Sequence, residues 1–439
     1  MNILLLSGGS GKRLWPLSNG IRSKQFIKIF KRSDGSYESM LQRVYRQLRS
    51  LDFEVDITIA TNRAQVSAIR NQIGDKADLA IEPCSRDTFP AIALAGAYLV
   101  DVKGISEEEF AVVCPVDPYV ERDYFEALKM LAEQAEKGEA RLVLMGIEPA
   151  YPSEKYGYMI PEKKDRISKV LAFKEKPDLE TAKQYMEQGA LWNSGVFVFR
   201  LSYLIEQVRK KLGYCDYQTL LENYAKLPKI SFDCAIAEKE DSIQVMRFGG
   251  TWKDLGTWNT LTEAMDEVVI GDGRMDDTCE NVYILNELDM PVLAMGLRDV
   301  IISASVEGIL VSDREQSSYM KPFVEDMHRQ IRFAEKSWGS FKVIDVEEES
   351  LTIKVTLNPG HSMNYHSHEF RDEVWTVISG RGYTVINGKR KPVKTGDVTF
   401  LRAGDRHTII ADTGVELIEV QLGREISVRD KKKHELEGV

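Results

Sequence analysis

Short apolar runs alternate with amphipathic stretches along the first 265 residues. The runs NILLLS, VDITIA, FAVVCPVD and RLVLMGIE are nearly continuously apolar, which is typical of buried central strands. Between them, AIALAGAYLV and YFEALKMLAEQAEKG predict helices, while KVLAFKEKP and SGVFVFR predict later strands. This alternation predicts an α/β fold with a mainly parallel, mixed sheet and helices on both faces.

The pattern changes twice further along the chain, so the predicted domains are 1–265, 266–337 and 338–439. The middle region is β-rich and predicts either a small β-solenoid or a layer of hairpins, and both remain open. Within it, QSSYMKPFVEDMHRQIRFAEKSW predicts a linking helix. The last region has regularly spaced alternating strands separated by Gly, Asn and Asp, which is typical of an all-β barrel or jelly roll. The polar tail RDKKKHELEGV is expected to fray.

Composition excludes several classes of protein. The 439 residues are 43% hydrophobic and 29% charged, as in globular enzymes. The net charge of −10 argues against a nucleic-acid partner, because such proteins carry a basic face. No apolar run reaches the roughly 18 residues of a membrane span, and the N-terminal residues lack the features of an export signal. Five scattered cysteines predict reduced thiols and a cytoplasmic location.

The histidines are confined to the end of the chain. All six lie after residue 327: His328, His361, His366, His368, His407 and His434. The chemistry of the first 327 residues therefore uses neither an imidazole base nor a histidine-ligated metal.

A glycine-rich loop follows the first predicted strand, with the sequence Ser7-Gly8-Gly9-Ser10-Gly11-Lys12-Arg13. Such a loop lets backbone N–H groups approach a phosphate, although its spacing fits neither the ATPase lysine loop nor the dinucleotide fingerprint. Residues 1–33 contain seven basic residues and no acidic residue, which points to an anion site. The alternative is a solvated face with turn glycines.

Several collinear segments resemble the motifs of one enzyme family. The segments are GGSGKRLWPLS, the KQF that follows it, IEPCSRDTFPAIALA, PVDPY, EKYGYM, FKEKP, WNSGVF and WKDLGTW. They resemble the motifs of sugar-phosphate nucleotidyltransferases, in their mannose-1-phosphate guanylyltransferase branch. The resemblance implies a Rossmann-like domain that transfers a nucleotidyl group from an NTP to a sugar 1-phosphate. In that branch these are GTP and mannose 1-phosphate, and the products are GDP-mannose, used for polysaccharide synthesis, and pyrophosphate.

The chemistry of this transfer explains the residue types. The attacking sugar phosphate is already an anion, so the obstacle is repulsion between two anions rather than the lack of a base. Asp117, at the end of an apolar strand, and Asp254 are the candidate Mg²⁺ ligands. The resemblance assigns catalytic charge neutralisation to Arg13, Lys24 and Lys176. It assigns nucleotide binding to Gly8, Gly9, Gly11, Lys12, Arg13, Glu82, Arg86, Asp87 and Thr88, and sugar-phosphate binding to Gly157, Glu175, Lys176 and Asn193.

Four residues depart from the family pattern. Asp87 and Phe89 stand where the family commonly has Asn and Ala, Ser23 replaces a proline, and Pro118 replaces a histidine. Since the first two lie in the segment that would recognise the base, a transferase with a different base or sugar stays open.

The C-terminal region carries two spaced motifs. Gly360-x5-His366-x-His368-x4-Glu373-x6-Gly380 and Gly396-x5-Arg402-x-Gly404-x2-His407 match the two cupin motifs. Residues two apart on a strand face the same side, so the first two histidines should both point into the barrel. His366, His368, Glu373 and His407 suit one transition metal, either Zn, Mn, Fe or Ni.

A cupin fused to this transferase resembles the bifunctional type II phosphomannose isomerase/guanylyltransferases. The resemblance implies interconversion of mannose 6-phosphate and fructose 6-phosphate, with Arg371 as a phosphate ligand or, alternatively, an exterior strand residue. His366 stands where the family usually has glutamine, and the family's aromatic ending is absent after Arg429, so a regulatory or structural cupin is the alternative.

Two further questions stay open at this stage. A nucleotide-sugar or metal-responsive binding protein with a degenerate transferase site is the alternative from another class. The intact set of Arg13, Lys24, Asp117, Lys176 and Asp254 argues against it. The oligomeric state, including a homo-oligomer, is also open.

Overall fold

The computed structural model describes residues 1–9, 12–75, 77–327 and 331–436. The chain forms two compact units, one of residues 1–11 and 23–267 and the other of residues 12–22 and 268–439. Among the described residues, no helix has the length and apolar character needed to cross a bilayer.

The first unit combines strands and helices in alternation. Its strands are β1 (Asn2–Ser7), β2 (Lys28–Lys31), β3 (Tyr37–Ser39), β4 (Asp56–Asn62), β5 (Asp78–Glu82), β6 (Phe110–Pro115), β7 (Pro118–Val120), β8 (Leu142–Ile147), β9 (Tyr158–Pro161), β10 (Ile167–Lys174), β11 (Leu191–Arg200), β12 (Ile243–Phe248) and β13 (Trp252–Asp254). Its helices are α1 (Met40–Arg49), α2 (Val66–Ile73), α3 (Thr88–Asp101), α4 (Arg122–Glu136), α5 (Leu179–Glu187), α6 (Leu201–Leu212), α7 (Tyr217–Asn223), α8 (Phe232–Ala235) and α9 (Trp258–Thr262).

One mixed sheet runs through this unit, in the strand order β5-β4-β1-β6-β11-β8-β12-β10-β9. β1 pairs in parallel with β4 and β6, whereas β11 is antiparallel to both β6 and β8. Side chains alternate across β1, so Leu4 belongs to the core on one face while Ile3 and Leu5 belong to the core on the other. The predicted α/β class with a mixed sheet is confirmed, but the sheet is not mainly parallel: four of its strand pairs are parallel and five are antiparallel, because β9, β10 and β11 run against their neighbours.

The second unit is almost entirely β-structure. Its strands are β14 (Val269–Ile270), β15 (Gly273–Met275), β16 (Tyr283–Asn286), β17 (Val292–Ala294), β18 (Val300–Ser305), β19 (Gly308–Asp313), β20 (Phe333–Lys336), β21 (Gly339–Val346), β22 (Ser350–Leu357), β23 (His366–Ser367), β24 (Asp372–Ser379), β25 (Arg381–Ile386), β26 (Lys389–Lys394), β27 (Val398–Leu401), β28 (His407–Ala411), β29 (Val415–Leu422) and β30 (Lys432–Lys433), with helix α10 (Lys321–Asp326).

The first part of this unit has the structure of a small β-solenoid, which was one of the two predicted possibilities. β14, β16 and β18 pair in parallel with one another, and β15 pairs in parallel with β17, so alternate strands stack as successive coils. Only the pair of β18 and β19 is an antiparallel hairpin among the described strands of these two sheets.

The predicted linking helix over 316–338 is wrong in its second half. Helix α10 covers Lys321–Asp326, whereas Phe333–Lys336 is strand β20, paired with β21. The partner of this strand lies just beyond the predicted helix, and backbone pairing with it overrides the local helical pattern. The predicted domain boundaries stay predictions.

Two sheets form the barrel, in the orders β20-β21-β22-β29-β24-β27 and β26-β25-β28-β23-β30. The C-terminal tail was expected to fray. This expectation is wrong for the first part of the tail, because β30 pairs with β23. Since β23 carries His366, the tail lies beside the predicted metal ligands.

The segment 12–22 packs within the second unit, although its neighbours there are distant along the chain. The Ser305 hydroxyl donates a hydrogen bond to the Pro16 carbonyl at 2.7 Å. The Asn19 amide donates to Glu307 Oε1 at 2.8 Å, and the Arg22 guanidinium makes two 2.8 Å bonds to Glu287. Leu14 and Leu17 are buried. This short segment is therefore an integral part of the second unit.

Candidate functional site

Two carboxylates and one lysine converge at the carboxyl end of the sheet. Asp117 lies two residues after the end of β6 and directly before β7. Asp254 ends β13, which pairs with β7 so that Asp254 lies opposite Pro118. The Nζ of Lys24 lies 2.8 Å from Oδ2 of Asp117 and 3.8 Å from Oδ1 of Asp254. The two carboxylates therefore face a common position that attracts a cation.

The donor set at this position fits Mg²⁺. Both groups are oxygen ligands, which Mg²⁺ prefers, and about a third of each side chain is exposed (38% for Asp117 and 33% for Asp254). Such exposure leaves room for the waters and phosphate oxygens that complete magnesium coordination.

A single cavity contains these carboxylates together with all four residues predicted to bind the sugar phosphate. Its lining includes Asp117, Asp254, Gly157, Glu175, Lys176 and Asn193. The backbone N–H of Asn193 donates to the Gly157 carbonyl at 2.8 Å. A Cβ on Gly157 would lie 2.6 Å from Glu175 Oε2, so only glycine lets these two segments approach so closely.

Lys176 and Glu175 form an ion pair in this cavity. Burial acts to lower the pKa of Lys176, but the hydrogen bond and the charge of Glu175 outweigh it and raise the pKa above its usual value. Lys176 thus stays charged and can face an anionic substrate.

Asp233 is a residue of the cavity that the sequence analysis missed. Its Oδ1 accepts a 2.6 Å hydrogen bond from the side-chain amide of Asn193. Burial first, and the nearby charge of Glu175 second, raise the pKa of Asp233 to about 7. Its place at the start of the four-residue helix α8 carries no motif that the sequence could have revealed.

The glycine-rich loop is described only in part. Gly8 and Gly9 follow β1, and Gly9 has a φ of 103°, which favours glycine. The Gly9 carbonyl accepts hydrogen bonds from the Ser23 hydroxyl (2.8 Å) and from the Gln65 amide (3.1 Å). Ser23, which replaces a family proline, thus holds the start of the loop.

Three predicted residues of the N-terminal motif cannot be assigned to the cavity. Gly11 lies outside the described residues, and of Lys12 the structure describes the backbone alone. Arg13 belongs to the second unit and is exposed. Their roles in nucleotide binding stay predictions.

The other predicted nucleotide-binding residues cluster where β5 leads into α3. Buried Glu82 accepts a 2.6 Å bond from the Tyr224 hydroxyl, and burial raises the pKa of its carboxyl. Asp87 caps α3 by accepting the Thr88 N–H at 2.8 Å. The Thr88 hydroxyl accepts the N–H of Phe232, which connects this segment to the helix of Asp233.

Arg86 in the same segment donates to the carbonyl of Ala225. Its Nε is buried and has no hydrogen-bond partner among the described residues.

In the barrel, the structure brings together all four residues predicted as metal ligands. The ligand atoms of His366, His368, Glu373 and His407 lie within 4.8 Å of one another, and all four residues are buried. His366 on β23 lies directly opposite His407 on β28.

The tautomers of the three histidines are set by backbone carbonyls. The Nδ1 atoms of His366, His368 and His407 lie 2.6, 3.0 and 2.9 Å from the carbonyl oxygens of Asn364, Asp430 and Asp405. A carbonyl can only accept, so each Nδ1 carries the proton and each Nε2 presents its lone pair to the cluster.

These lone pairs fit a metal ion. The Nε2 atoms of His368 and His407 lie 3.1 and 3.3 Å from the Glu373 carboxylate, and the latter Nε2 is buried without a hydrogen-bond partner among the described residues. Burial is the main cause that lowers the pKa of His366 to about 2, so this ring stays neutral. The neutral ring of His366, the imidazoles of His368 and His407 and a carboxylate converge in this way, and together they are a donor set for a transition metal.

Two models of known families match the chain. The family model described as Nucleotidyl transferase matches residues 2–269. The chain belongs to the nucleotidyl transferase family. A second model, Mannose-6-phosphate isomerase C-terminal, matches residues 324–435, so this nucleotidyltransferase also has an isomerase-type C-terminal domain. The resemblances inferred from the motifs are confirmed.

The chain is also similar to full-length relatives. Mannose-1-phosphate guanylyltransferase of Salmonella montevideo is 27% identical over 96% of this chain and 95% of its own length. Xanthan biosynthesis protein XanB of Xanthomonas campestris is 28% identical over 96% of this chain and 95% of its own. The crystal structure of mannose-1-phosphate geranyltransferase from Thermus thermophilus aligns with a TM-score of 0.63 at 28% identity, covering 75% of this nucleotidyltransferase and 99% of that chain.

One of the two predictions for Arg371, an exterior strand residue, is wrong. It is buried, with its guanidinium 3.1 Å from Glu373 Oε1 and 3.0 Å from His368 Nε2, and it donates to the Ser427 carbonyl at 3.0 Å. Its position inside the barrel of this nucleotidyltransferase leaves the phosphate-binding alternative as a prediction.

Proposed function

We propose that the protein transfers a guanylyl group from GTP to mannose 1-phosphate, producing GDP-mannose and pyrophosphate. The observation that carries this proposal is that Asp117 and Asp254, both close to the Lys24 ammonium, line one cavity with Glu175 and Asn193. Relatives named mannose-1-phosphate guanylyltransferase align over nearly the whole chain, which supports this base and this sugar. The relative named for xanthan biosynthesis supports a use in polysaccharide synthesis.

The residues of this chain act by positioning and by neutralising charge. A phosphate oxygen of the sugar 1-phosphate attacks the α-phosphorus of the nucleotide, and pyrophosphate leaves. Lys24 and Arg13 neutralise the triphosphate, while Lys176 faces the phosphate of the sugar. Asp117 and Asp254 hold Mg²⁺, which supplies further neutralisation of the phosphates when bound.

The remaining site residues bind the sugar of one substrate and the nucleotide of the other. Glu175 and Asn193 bind sugar hydroxyls, and the 2.6 Å bond between Asn193 and Asp233 orients the amide for this task. At the other end, backbone N–H groups of Gly8, Gly9 and Gly11, together with Lys12, hold the nucleotide. Glu82, Arg86, Asp87 and Thr88 form the segment that recognises the base.

The test is a matrix of four nucleoside triphosphates against several hexose 1-phosphates with Mg²⁺, in which the products are identified by mass. We expect the highest kcat/KM for GTP with mannose 1-phosphate. A preference for another base or sugar would replace that part of the proposal, and no pyrophosphate release from any pair would refute the transferase itself. The Asp117→Asn variant is the inactive control.

A second candidate function belongs to the barrel. We propose that His366, His368, Glu373 and His407 bind one transition metal, and that the domain interconverts mannose 6-phosphate and fructose 6-phosphate. The converging Nε2 lone pairs support the metal, and the matched isomerase-type family supports the reaction. When bound, the metal would polarise the sugar carbonyl. Arg371 would bind the substrate phosphate.

The isomerase is tested with fructose 6-phosphate after reconstitution with Zn, Mn, Fe or Ni in turn. Formation of mannose 6-phosphate by at least one metal form, and its loss in Arg371→Ala, is the expected result. A metal-loaded protein without turnover would assign the barrel a regulatory or structural role instead.

The cellular setting follows from the substrates and the thiols. All five cysteines are free in the structure, in agreement with a reducing compartment. We therefore propose that the reaction takes place in the cytoplasm, with an NTP and a sugar 1-phosphate as the partners.

A further inference from the structure

The C-terminal segment Ser427–His434, called here the C-terminal strap, runs along the strand that carries His366. Lys433 pairs with His366 and Lys432 with Ser367, and the His434 N–H donates to the Tyr365 carbonyl at 2.9 Å. The His434 ring Nε2 also lies 2.8 Å from the Ser367 hydroxyl. The strap is thus the edge strand next to the proposed metal site.

Asp430 in the strap contacts the metal-ligand segment with three groups. Its backbone carbonyl lies 3.0 Å from Nδ1 of His368. Its two side-chain oxygens accept the N–H groups of Glu369 at 2.8 Å and Phe370 at 3.2 Å, in the loop between His368 and Glu373. One residue of the strap therefore holds both the ring and the backbone that follows it.

A further contact joins the start of the strap to the barrel interior. The carbonyl of Ser427 accepts a 3.0 Å hydrogen bond from Arg371, whose Nε lies 3.1 Å from Glu373. The strap thus has backbone contacts with two groups that touch the cluster, His368 and Arg371.

Lys432 and Lys433 of the strap are exposed, and the pairing of β30 with β23 covers two residues. The contacts described above are hydrogen bonds, each worth roughly 1 kcal/mol net. Attachment of this kind is weak enough for a bound ligand to change it.

We propose that the C-terminal strap is part of the metal site, with Asp430 as the positioning residue that fixes His368. With the strap in place, the Asp430 carbonyl accepts the hydrogen bond from Nδ1–H of His368 and so directs the lone pair of Nε2 toward the cluster, where it can bind the metal. Because binding linkage is reciprocal, the metal in turn stabilises the attached strap. This inference rests on the proposed metal site.

The first test measures zinc affinity of the full-length protein by competition with a chromophoric chelator. Outer contacts to ligating histidines typically change metal affinity by 10–100-fold, so we expect Asp430→Ala to bind Zn²⁺ about 10–100-fold more weakly than wild type. Asp430→Asn, which keeps one acceptor oxygen, should lie between them. Lys432→Ala, in the same strand with an exposed side chain, is the matched control and should bind as wild type does.

The second test uses trypsin, because the strap contains Arg429, Lys431, Lys432 and Lys433. Cleavage in the strap, followed by intact mass, should be faster in chelator-treated protein than in zinc-loaded protein, and Asp430→Ala should lose this difference. If Asp430→Ala fails to fold, the Asp430→Asn variant decides the outcome.

The two proposals fail differently. A wild-type protein that binds none of zinc, manganese, iron and nickel would overturn the metal site and the strap together. A wild-type protein that binds zinc, with unchanged affinity in Asp430→Ala and cleavage of the strap that zinc does not alter, would overturn the role of the strap alone.

Discussion

The ammonium of Lys24 lies 2.8 Å from the carboxylate of Asp117, and 3.8 Å from that of Asp254. One cation therefore bridges two carboxylates that come from distant parts of the chain. Without positive charge at this position the two carboxylates would repel each other. The arrangement explains how a site that must bring together two phosphorylated substrates can itself contain negative charge.

Asp117→Asn should abolish transfer and leave the fold intact. The change removes one of two carboxylate ligands for Mg²⁺, so we expect kcat to fall by at least about 100-fold, as for other groups that stabilise charge in a transition state. Pyrophosphate release at saturating Mg²⁺ measures the effect. The exposed Asp165→Asn serves as the control, and wild-type turnover by Asp117→Asn would contradict the assignment.

Gly157→Ala should weaken binding of the sugar phosphate more than it slows the reaction. The new Cβ would lie 2.6 Å from Glu175 Oε2 and 3.4 Å from the Asn193 Cβ, so Glu175 must move. We expect KM for the sugar 1-phosphate to rise roughly tenfold, which corresponds to about 1.4 kcal/mol. Steady-state kinetics measure it. Gly249→Ala, where a Cβ meets no atom within 4 Å, should leave KM unchanged, and equal KM values in both variants would contradict the prediction.

Asp233 should make the first unit less stable as the pH rises. Its pKa is raised from 3.8 to about 7, mainly by burial and then by Glu175. Because the folded-state pKa lies above the unfolded one, the stabilisation is fully present below about pH 4 and is lost as the pH rises to about 7. We therefore expect the free energy of unfolding, measured with urea, to fall more between pH 5 and pH 8 in wild type than in Asp233→Asn.

The same titration should affect substrate binding. Ionised Asp233 adds a second negative charge beside Glu175, so KM for the anionic sugar phosphate should rise above about pH 7 in wild type. Asp233→Asn, which can still accept the hydrogen bond from Asn193, should show a flatter profile. Titration of the substrate affects both proteins equally, so the difference between their KM values removes it. If KM changed with pH in the same way in both proteins, the prediction would be contradicted.

Purified protein should contain about one transition metal ion per chain, as measured by elemental analysis. The double variant His366→Ala/His368→Ala should lose it, because two of four buried ligands are removed. His361→Ala, an exposed histidine outside the cluster, should keep the metal. Retention of a stoichiometric metal by the double variant would show that the ion binds elsewhere.

The sequence was sufficient to predict those features that depend on local pattern. The apolar run before Asp117 predicted a strand that ends at the site, and the alternation of strands and helices predicted the sheet. The two-residue spacing of His366 and His368 predicted a shared direction, and both rings lie in the cluster. Period and spacing are properties of a short stretch, so one sequence contains them.

Features that depend on pairing or contact with another segment could not be predicted. The strap is a run of polar residues with no apolar alternation, and it forms a strand only because β23 offers unpaired backbone groups. Phe333–Lys336 pairs with the strand that follows it, which a local helical pattern does not reveal. Asp233 becomes important through its bond to Asn193, forty residues earlier.

The path of residues 12–22 has a consequence for any attempt to separate the two matched domains. The backbone leaves the first unit after Gly11, returns at Ser23, and leaves again after Glu267. A protein shortened to end at residue 267 would keep Leu14 and Leu17 but lose the partners Ser305 and Glu307 that secure their segment. The N-terminal signature would then lose these partners, so a division of the chain that preserves them must fall after residue 307 rather than at residue 267.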